Sequence, residues 1–454
     1  QKILDLTTNL KKRQDHVDDP EVLPKVTKDD IPQSRTYAKH LRTSSNNTDN
    51  YFYKTGTNGI TYHSIIFPCD TLTKEEFSIA SLFSSTLTDV GIKDKNYEEV
   101  QKIQSAITGG ISANFTLLPN ENKTEHSLAL KVTSKSLEKN EFKMQDLMID
   151  MVTNAKFSDK NRIKDVLTFI ASDNDKSVIQ NGHVLAMSNA AAQINNIAST
   201  NDIASGINFI TNTSRLSREI NNNASLTQYL DLLDAIKSKI NTQPIYTFTA
   251  SSLSMDQTQL GFEFNSDTNL FIPQNYFDIQ DESIGWITGA QVCYCAEAFP
   301  TVDSFHEDAP ALSVLGAVLR NGYLHSAIRE KGGAYGAGAM QDSNNKIFKF
   351  FSYRDPKCTE TFNEFMKSRE WSLKNISQDQ LDEGVLGVVS SIDKPLSPYG
   401  EAMSDFANNL DKKDIDQRLK FRSKVKECSL KDLVNVSRKY LFNESKKAVI
   451  AGEN

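Results

Sequence analysis

Arg329 and Tyr335 stand at the two ends of Arg329-Glu330-Lys331-Gly332-Gly333-Ala334-Tyr335, with Gly336 following. A permanently charged guanidinium and a phenol are donors of the kind that stabilise an oxyanion in acyl transfer. Between them, Gly332 and Gly333 permit a left-handed turn and leave no side chain to keep a ligand off the backbone, which makes them candidate substrate-binding positions. The same octapeptide also reads as a helix C-cap followed by a core tyrosine. Chemistry alone leaves both readings open.

The elements that would position this turn are legible on either side. A helical pattern over Asp308 to Ile328 leads into it, with Leu312, Leu315, Val318, Leu319 and Gly322 along one face. A strand-like run, Lys346 to Tyr353, follows it. Trp286 to Ala296 reads as a strand preceding that helix, with a turn and cap at Pro300 to Asp308. Further helices are expected at about 357–373, 377–390, 400–410 and 430–441, and a final strand at Ala448-Val449-Ile450-Ala451.

An earlier stretch has the same order. Residues 1–16 carry Ile3, Leu6 and Leu10 on one face of an amphipathic helix, and 17–50 read as a connector rich in Pro, Asp, Ser and Asn. Ile60, Tyr62, Ser64 and Ile66 then alternate as a strand. A helix is expected from Thr73 to Val90, with Thr73 as N-cap and Glu75 and Glu76 at the positive end of its dipole. A second helix, Tyr97 to Ile107, ends at Gly109-Gly110, and strands follow at 111–118 and 127–133. No proline occurs between Pro119 and Pro244, which suits helices because an interior proline costs ~3 kcal/mol. They are expected at about 141–155, 159–196 and 226–239, and a strand at Ile245 to Ala250 closes the unit. The paired glycines recurring inside a matching element order imply an internal duplication. The expected fold class is α+β: two tandem homologous domains, each a largely antiparallel sheet with helices packed on one face.

Composition narrows the function classes. The 454 residues are 38% hydrophobic and 24% charged, ample for a globular chain of several domains. A formal net charge of −7 argues against nucleic acid as a partner and is compatible with basic peptides. No apolar run reaches the length of a membrane span. Cys69, Cys293, Cys295, Cys358 and Cys428 form an odd, sparse set that suggests a reducing compartment, not a disulfide framework. Cys293-Tyr294-Cys295 would put both thiols on one face of a strand, but with no second Cys/His pair nearby they read as core thiols. The chain begins at Gln1, which reads as a processed product or a piece of something larger.

Ile328-Arg329-Glu330-Lys331-Gly332-Gly333-Ala334-Tyr335-Gly336, followed by Phe351-Ser352-Tyr353-Arg354-Asp355-Pro356, resembles the pitrilysin/insulinase family of inverted-motif zinc peptidases. Val22-Leu23-Pro24 through Ile31-Pro32, Thr57-Asn58-Gly59-Ile60, Thr108-Gly109-Gly110-Ile111-Ser112 and Gly182-His183 extend the resemblance over nearly the whole chain, in order. It implies the C-terminal half of such an enzyme. Residues 1–49 would be the second arm of a linker hairpin with its connector, and 50–268 and 269–454 the third and fourth domains.

The family's metal motif, His-x-x-Glu-His, is missing: among His16, His40, His63, His126, His183, His306 and His325 no two lie three to five residues apart. His306 and His325 read as capping or surface residues. The resemblance therefore implies zinc bound by a partner N-terminal half and not by this chain, which alone would be inactive. It implies unfolded peptide substrates, such as cleaved targeting sequences, enclosed in a chamber in the mitochondrial matrix. There Arg329 and Tyr335 would stabilise the oxyanion formed when zinc-bound water attacks. The alternative is a family member that has lost catalysis and serves as a structural or processing-complex subunit, with Gly332-Gly333 only a turn and Tyr335 a core residue.

Overall fold

The computed structural model describes residues 5–9, 26–45, 47–120, 125–255, 284–289 and 291–452. The chain divides into two compact units, Gln1–Ser34 and Arg35–Asn454. In the first, residues 5–9 are helical, and the 3-10 turn Lys28–Asp30 is preceded by Thr27, whose amide and hydroxyl both donate to the Asp30 carboxylate. The rest of the helix expected over 1–16 lies outside the described residues, as does the junction expected near 268.

Arg35–Asn454 is built on two sheets. It opens with β1 (Leu41–Ser45), β2 (Thr48–Lys54) and β3 (Ile60–Pro68). Helices α1 (Lys74–Ser78) and α2 (Ala80–Leu87) follow, then β4 (Gly91–Ile92) and α3 (Tyr97–Ile107). Next come β5 (Ile111–Pro119), β6 (His126–Leu137), α4 (Glu141–Asn154) and β7 (Ala155–Lys156), which pairs with β4. Four helices, α5 (Lys160–Ala192), α6 (Asn196–Ser205), α7 (Ile207–Glu219) and α8 (Asn223–Lys239), lead to β8 (Tyr246–Ser251).

The second half begins with β9 (Ile284–Thr288) and β10 (Tyr294–Pro300), two strands where one was expected. Then come α9 (Ala309–Leu319), a π-helix (Arg320–Glu330), β11 (Gly336–Asp342) and β12 (Ile347–Tyr353). Five helices, α10 (Thr359–Ser372), α11 (Gln378–Asp393), α12 (Pro398–Leu410), α13 (Ile415–Lys426) and α14 (Leu430–Tyr440), precede β13 (Lys446–Gly452).

The strand orders are β1-β2-β8-β3-β6-β5 and β11-β12-β10-β13-β9. Without β1 the two sheets share one plan. A parallel edge pair, β2 with β8 or β9 with β13, is followed by three antiparallel pairings that end at the strand after the paired glycines. Gly110 precedes β5 and Gly333 precedes β11, both with positive φ, at 102° and 89°. Mixed helices and mainly antiparallel sheets in two like halves are the fold class that the sequence implies.

Each sheet is covered on both faces, and the second layer comes from the other half. Along β3, Ile65 and Phe67 join a core formed with Leu82, Phe83, Met148 and Leu233 of the first half's helices. Ile66, pointing the opposite way, packs with Tyr53, Phe248 and Ala250 against Ala402 and Phe406 of α12. In return, Leu185, Ala186 and Ala190 of α5 lie on Tyr294, Ala296 and Ala298 of β10 and Ala448 of β13. Small residues on both surfaces let the helix backbone come close to the strands. At 33 residues α5 spans ~50 Å, long enough to serve both cores.

The change of core is marked by a kink at Asn181, where φ is −115° and ψ 15°. The Tyr294 hydroxyl donates to the Ile179 carbonyl at this point, supplying a partner where the ladder is broken. A Cβ at Gly182 would run into the Tyr294 ring. Gly182→Ala is therefore expected to destabilise. The helix gains ~1 kcal/mol from alanine, but overpacking against a fully buried ring costs ~1–3 kcal/mol. Chemical denaturation of the variant checks the sign.

Candidate functional site

The site is assembled at the exit of the π-helix. Its i→i+5 bonding is visible in the Lys331 amide donating to the Ser326 carbonyl at 3.1 Å. π-Helical turns are uncommon and concentrate at functional sites. The turn then closes through Gly333 N–H to Arg329 O (3.0 Å) and Ala334 N–H to Ile328 O (3.1 Å). The Tyr335 amide is shared between the carbonyls of Tyr353 (3.1 Å) and Arg354 (3.3 Å), fixing the start of β11 against the end of β12.

His325, Arg329, Glu330, Gly333, Ala334, Tyr335 and Arg354 line one open concavity of about 630 Å³. Tyr335 is 69% exposed despite its size. Its ring edge rests on Tyr353 in a T-shaped contact at 5.6 Å, and its hydroxyl has no hydrogen-bond partner among the described residues. The reading of Tyr335 as a core residue is thereby excluded. Arg329 donates from Nη1 to His325 Nε2 at 2.8 Å. That bond requires an unprotonated Nε2, so the imidazole proton sits on Nδ1, 3.5 Å from Glu330 Oε1. Arg354 adds a second exposed cation, with a left-handed φ of 49° and its guanidinium 5.5 Å from the Tyr353 ring centroid.

Arg329, Gly333 and Tyr335 thus share one surface. Gly332 does not: it lines a separate cavity with Tyr323, Lys357 and Glu364, and a Cβ there would strike the Ile328 carbonyl. Gly332→Ala is expected to disturb the turn and shift Tyr335, lowering activity and stability together. His325 and Arg354 are the members that chemistry at the sequence level does not single out. Helical i,i+4 spacing to Arg329 is the available signal for His325. The first half's turn, Ile107-Thr108-Gly109-Gly110-Ile111-Ser112, carries neither arginine nor tyrosine. The duplication therefore has this donor pair on one side only. A further cavity of about 530 Å³ joins Phe115 and Leu117 of β5 to Asp303, Asn345 and Asp411, but it lacks a comparable pair of donors.

The residues of this chain do not fit a zinc centre. Among the described residues no three His, Cys, Asp or Glu side chains converge. His63 is buried in the first sheet with Nδ1 2.8 Å from the Thr249 hydroxyl, and burial brings its pKa down to about 4. His183 is wedged against Phe351 and Tyr353. His325 faces a guanidinium, which would repel a metal ion.

Two family models match the chain: the peptidase M16 (subfamily C) associated model over residues 1–216 and "PreP C-terminal domain" over 286–451. The mitochondrial presequence protease of Yarrowia lipolytica is 28% identical over 464 residues, covering 99% of this chain and 46% of the relative. That of Drosophila melanogaster is 28% identical over 439 residues, covering 94% and 41%, and that of Saccharomyces cerevisiae 26% over 461, covering 98% and 46%. The chain spans about half the length of these curated relatives. Among solved structures, a Helicobacter pylori protease superposes with a TM-score of 0.60 at 14% identity, covering 92% of this chain and all of that one. A peptidase M16 inactive domain from Pseudomonas fluorescens gives 0.58 at 13%, covering 92% and 98%. These likenesses agree with the motifs around Arg329 and Tyr335, and the chain belongs to subfamily C of the peptidase M16 family, as the counterpart of the C-terminal half of its presequence proteases.

Proposed function

We propose that this chain is the metal-free half of a zinc-dependent endopeptidase that degrades unfolded peptides, such as cleaved targeting sequences, in the mitochondrial matrix. The observation that carries the reading is the pairing of a solvent-facing phenol with an oriented guanidinium on one open surface. A concavity this open needs a facing surface to exclude water, and an N-terminal half holding zinc would provide it. When bound there, the metal supplies Lewis acidity and an activated water. The residues of this chain supply donors. Tyr335 O–H and Arg329 N–H serve the space where a scissile carbonyl oxygen gains charge, and His325 holds the guanidinium from behind. Arg354 adds positive potential that favours a carboxylate or carbonyl of the peptide. Residues 50–268 and 269–454 would be the third and fourth domains of the whole enzyme, and 1–49 the linker arm and connector.

Complementation tests the division of labour. This chain alone is expected to cleave no peptide. Mixed with a separately produced zinc-bearing N-terminal half, it should restore hydrolysis of an unfolded peptide, with turnover saturating in this chain. Peptidase activity of the chain alone, or none from the mixture once binding of the halves is established, would refute the proposal.

A further inference from the structure

Three of the five cysteines meet just behind the site. Cys295, on β10, is fully buried, and its sulfur lies 3.8 Å from that of Cys358. Cys293 is tied by reciprocal backbone bonds of 2.8 and 2.9 Å to Asp355, three residues before Cys358. Cys358 is only partly buried and occupies the N-cap of α10, a helix of 14 residues, where its side chain makes no capping bond. The neighbouring Asp355 carboxylate is already occupied: it accepts from the Lys357 amide (2.9 Å) and the Thr361 hydroxyl (2.7 Å).

The two close thiols differ in character. Hydrogen bonding from the Cys295 thiol, assisted by Cys293, brings Cys358 down to about 7 against burial and the Asp355 charge. A helix N-terminus acts in the same direction. Cys295 is pushed up by its bond to Cys358 and by burial. One sulfur is thus accessible and ionisable, with a second, protonated and buried, in van der Waals contact. A reactive thiol backed by a resolving thiol has this arrangement.

We propose that Cys358 is a peroxide-reactive thiol and Cys295 its resolving partner. The Cys358 thiolate attacks one peroxide oxygen, the O–O bond breaks, and hydroxide leaves, giving a sulfenic acid. The Cys295 sulfur then attacks that sulfur. The S–S bond forms, the S–O bond breaks, and the hydroxyl leaves as water with the Cys295 proton. Two thiols are oxidised and one peroxide is reduced to water. Rotation at Cys358 shortens the separation to the ~2.05 Å of a disulfide, tying the start of α10 to β10. Cys358 follows Arg354 of the site closely in the chain, so the cross-link forms next to the rim without consuming any group placed in it.

The test is peptide mapping of the full-length enzyme after stoichiometric hydrogen peroxide and alkylation. The expected product is a Cys295–Cys358 cross-linked peptide that dithiothreitol reverses. In Cys295→Ser, dimedone should trap the sulfenic acid at Cys358, and in Cys358→Ser no label should appear at Cys295. On untreated wild-type protein, iodoacetamide at pH 7 should modify Cys358 ~3-fold or more faster than an ordinary thiol, the gain in thiolate being partly offset by lower nucleophilicity. A Cys293–Cys358 cross-link instead would overturn the choice of resolving residue. Cys358 staying reduced, whether or not Cys69 or Cys428 is oxidised, would overturn the proposal, and this wild-type map does not depend on either variant folding.

Discussion

In the complete enzyme, Tyr335→Phe is expected to lower kcat by about 10²–10³, equivalent to ~2.7–4 kcal/mol, the loss typical of removing one oxyanion donor. KM should hardly move, because a bond that forms only as charge develops is not part of ground-state binding. The thermal midpoint should also hold. The ring stays in place, with its edge on Tyr353, and a residue 69% exposed contributes little core. The hydroxyl removed has no partner among the described residues, so its loss leaves no polar group stranded. Arg329→Ala should reduce turnover as well and raise KM, since a guanidinium also grips substrate backbone or carboxylate. His325→Ala should have a smaller effect, in the direction of Arg329→Ala, because the imidazole acts by holding the guanidinium at 2.8 Å. Measuring kcat, KM and midpoint for Tyr335→Phe decides the assignment. Unchanged kcat per folded molecule would sink it, and a lowered midpoint would mean that the ring is structural after all.

The elements legible in the sequence are those with local signals. Tyr97–Ile107 is legible to the residue, and the Thr73 cap stands with a reciprocal Thr73–Glu76 bond pair. The helix expected from it nonetheless breaks at Ile79. Elements without an apolar period escape such a reading. Strand β1 is exposed along its whole length and is held by backbone pairing to β2. Strand β11 begins Gly-Ala-Gly-Ala, a poor β-former by propensity; it exists because Gly316 of α9 packs on its backbone and Gly338 sits under Phe351. Helix α13 is mostly charged and buries only Arg422 and Val425. The π-helix has no sequence period that separates it from an α-helix. Above all, alternation in β3 and β10 suggests one covered face, whereas the exchange of α5 and α12 between halves is a long-range fact that no local window contains. At the site, Arg329, Gly333 and Tyr335 follow from one turn and are readable; the part played by Arg354 depends on how β12 ends beside β11.

That exchange yields the largest expected effect on stability. Asp405, on α12, is 2% exposed and accepts from Tyr53 OH (2.8 Å) and Arg418 Nη2 (2.6 Å), with His40 Nδ1 at 3.0 Å. It therefore fixes the second half's helix, with Phe406 beside it, onto the first half's sheet. Asp405→Ala would leave the Arg418 guanidinium and the Tyr53 hydroxyl buried without their acceptor. Breaking a buried pair in this way costs ~3–5 kcal/mol. Asp405→Asn retains an acceptor and should lose less. Burial raises the Asp405 pKa, but the bonds from His40, Arg418 and Tyr53 outweigh it and hold the carboxyl below its ordinary 3.8. The folded value being the lower one, this contribution is complete above the ordinary carboxylate pKa and is lost as pH falls through the folded value. The gap in unfolding free energy between wild type and Asp405→Asn should accordingly be constant near neutrality and close at acid pH. Denaturation of both proteins across that range checks it, and a gap that widens on acidification would show that Asp405 does not carry the charge assigned to it.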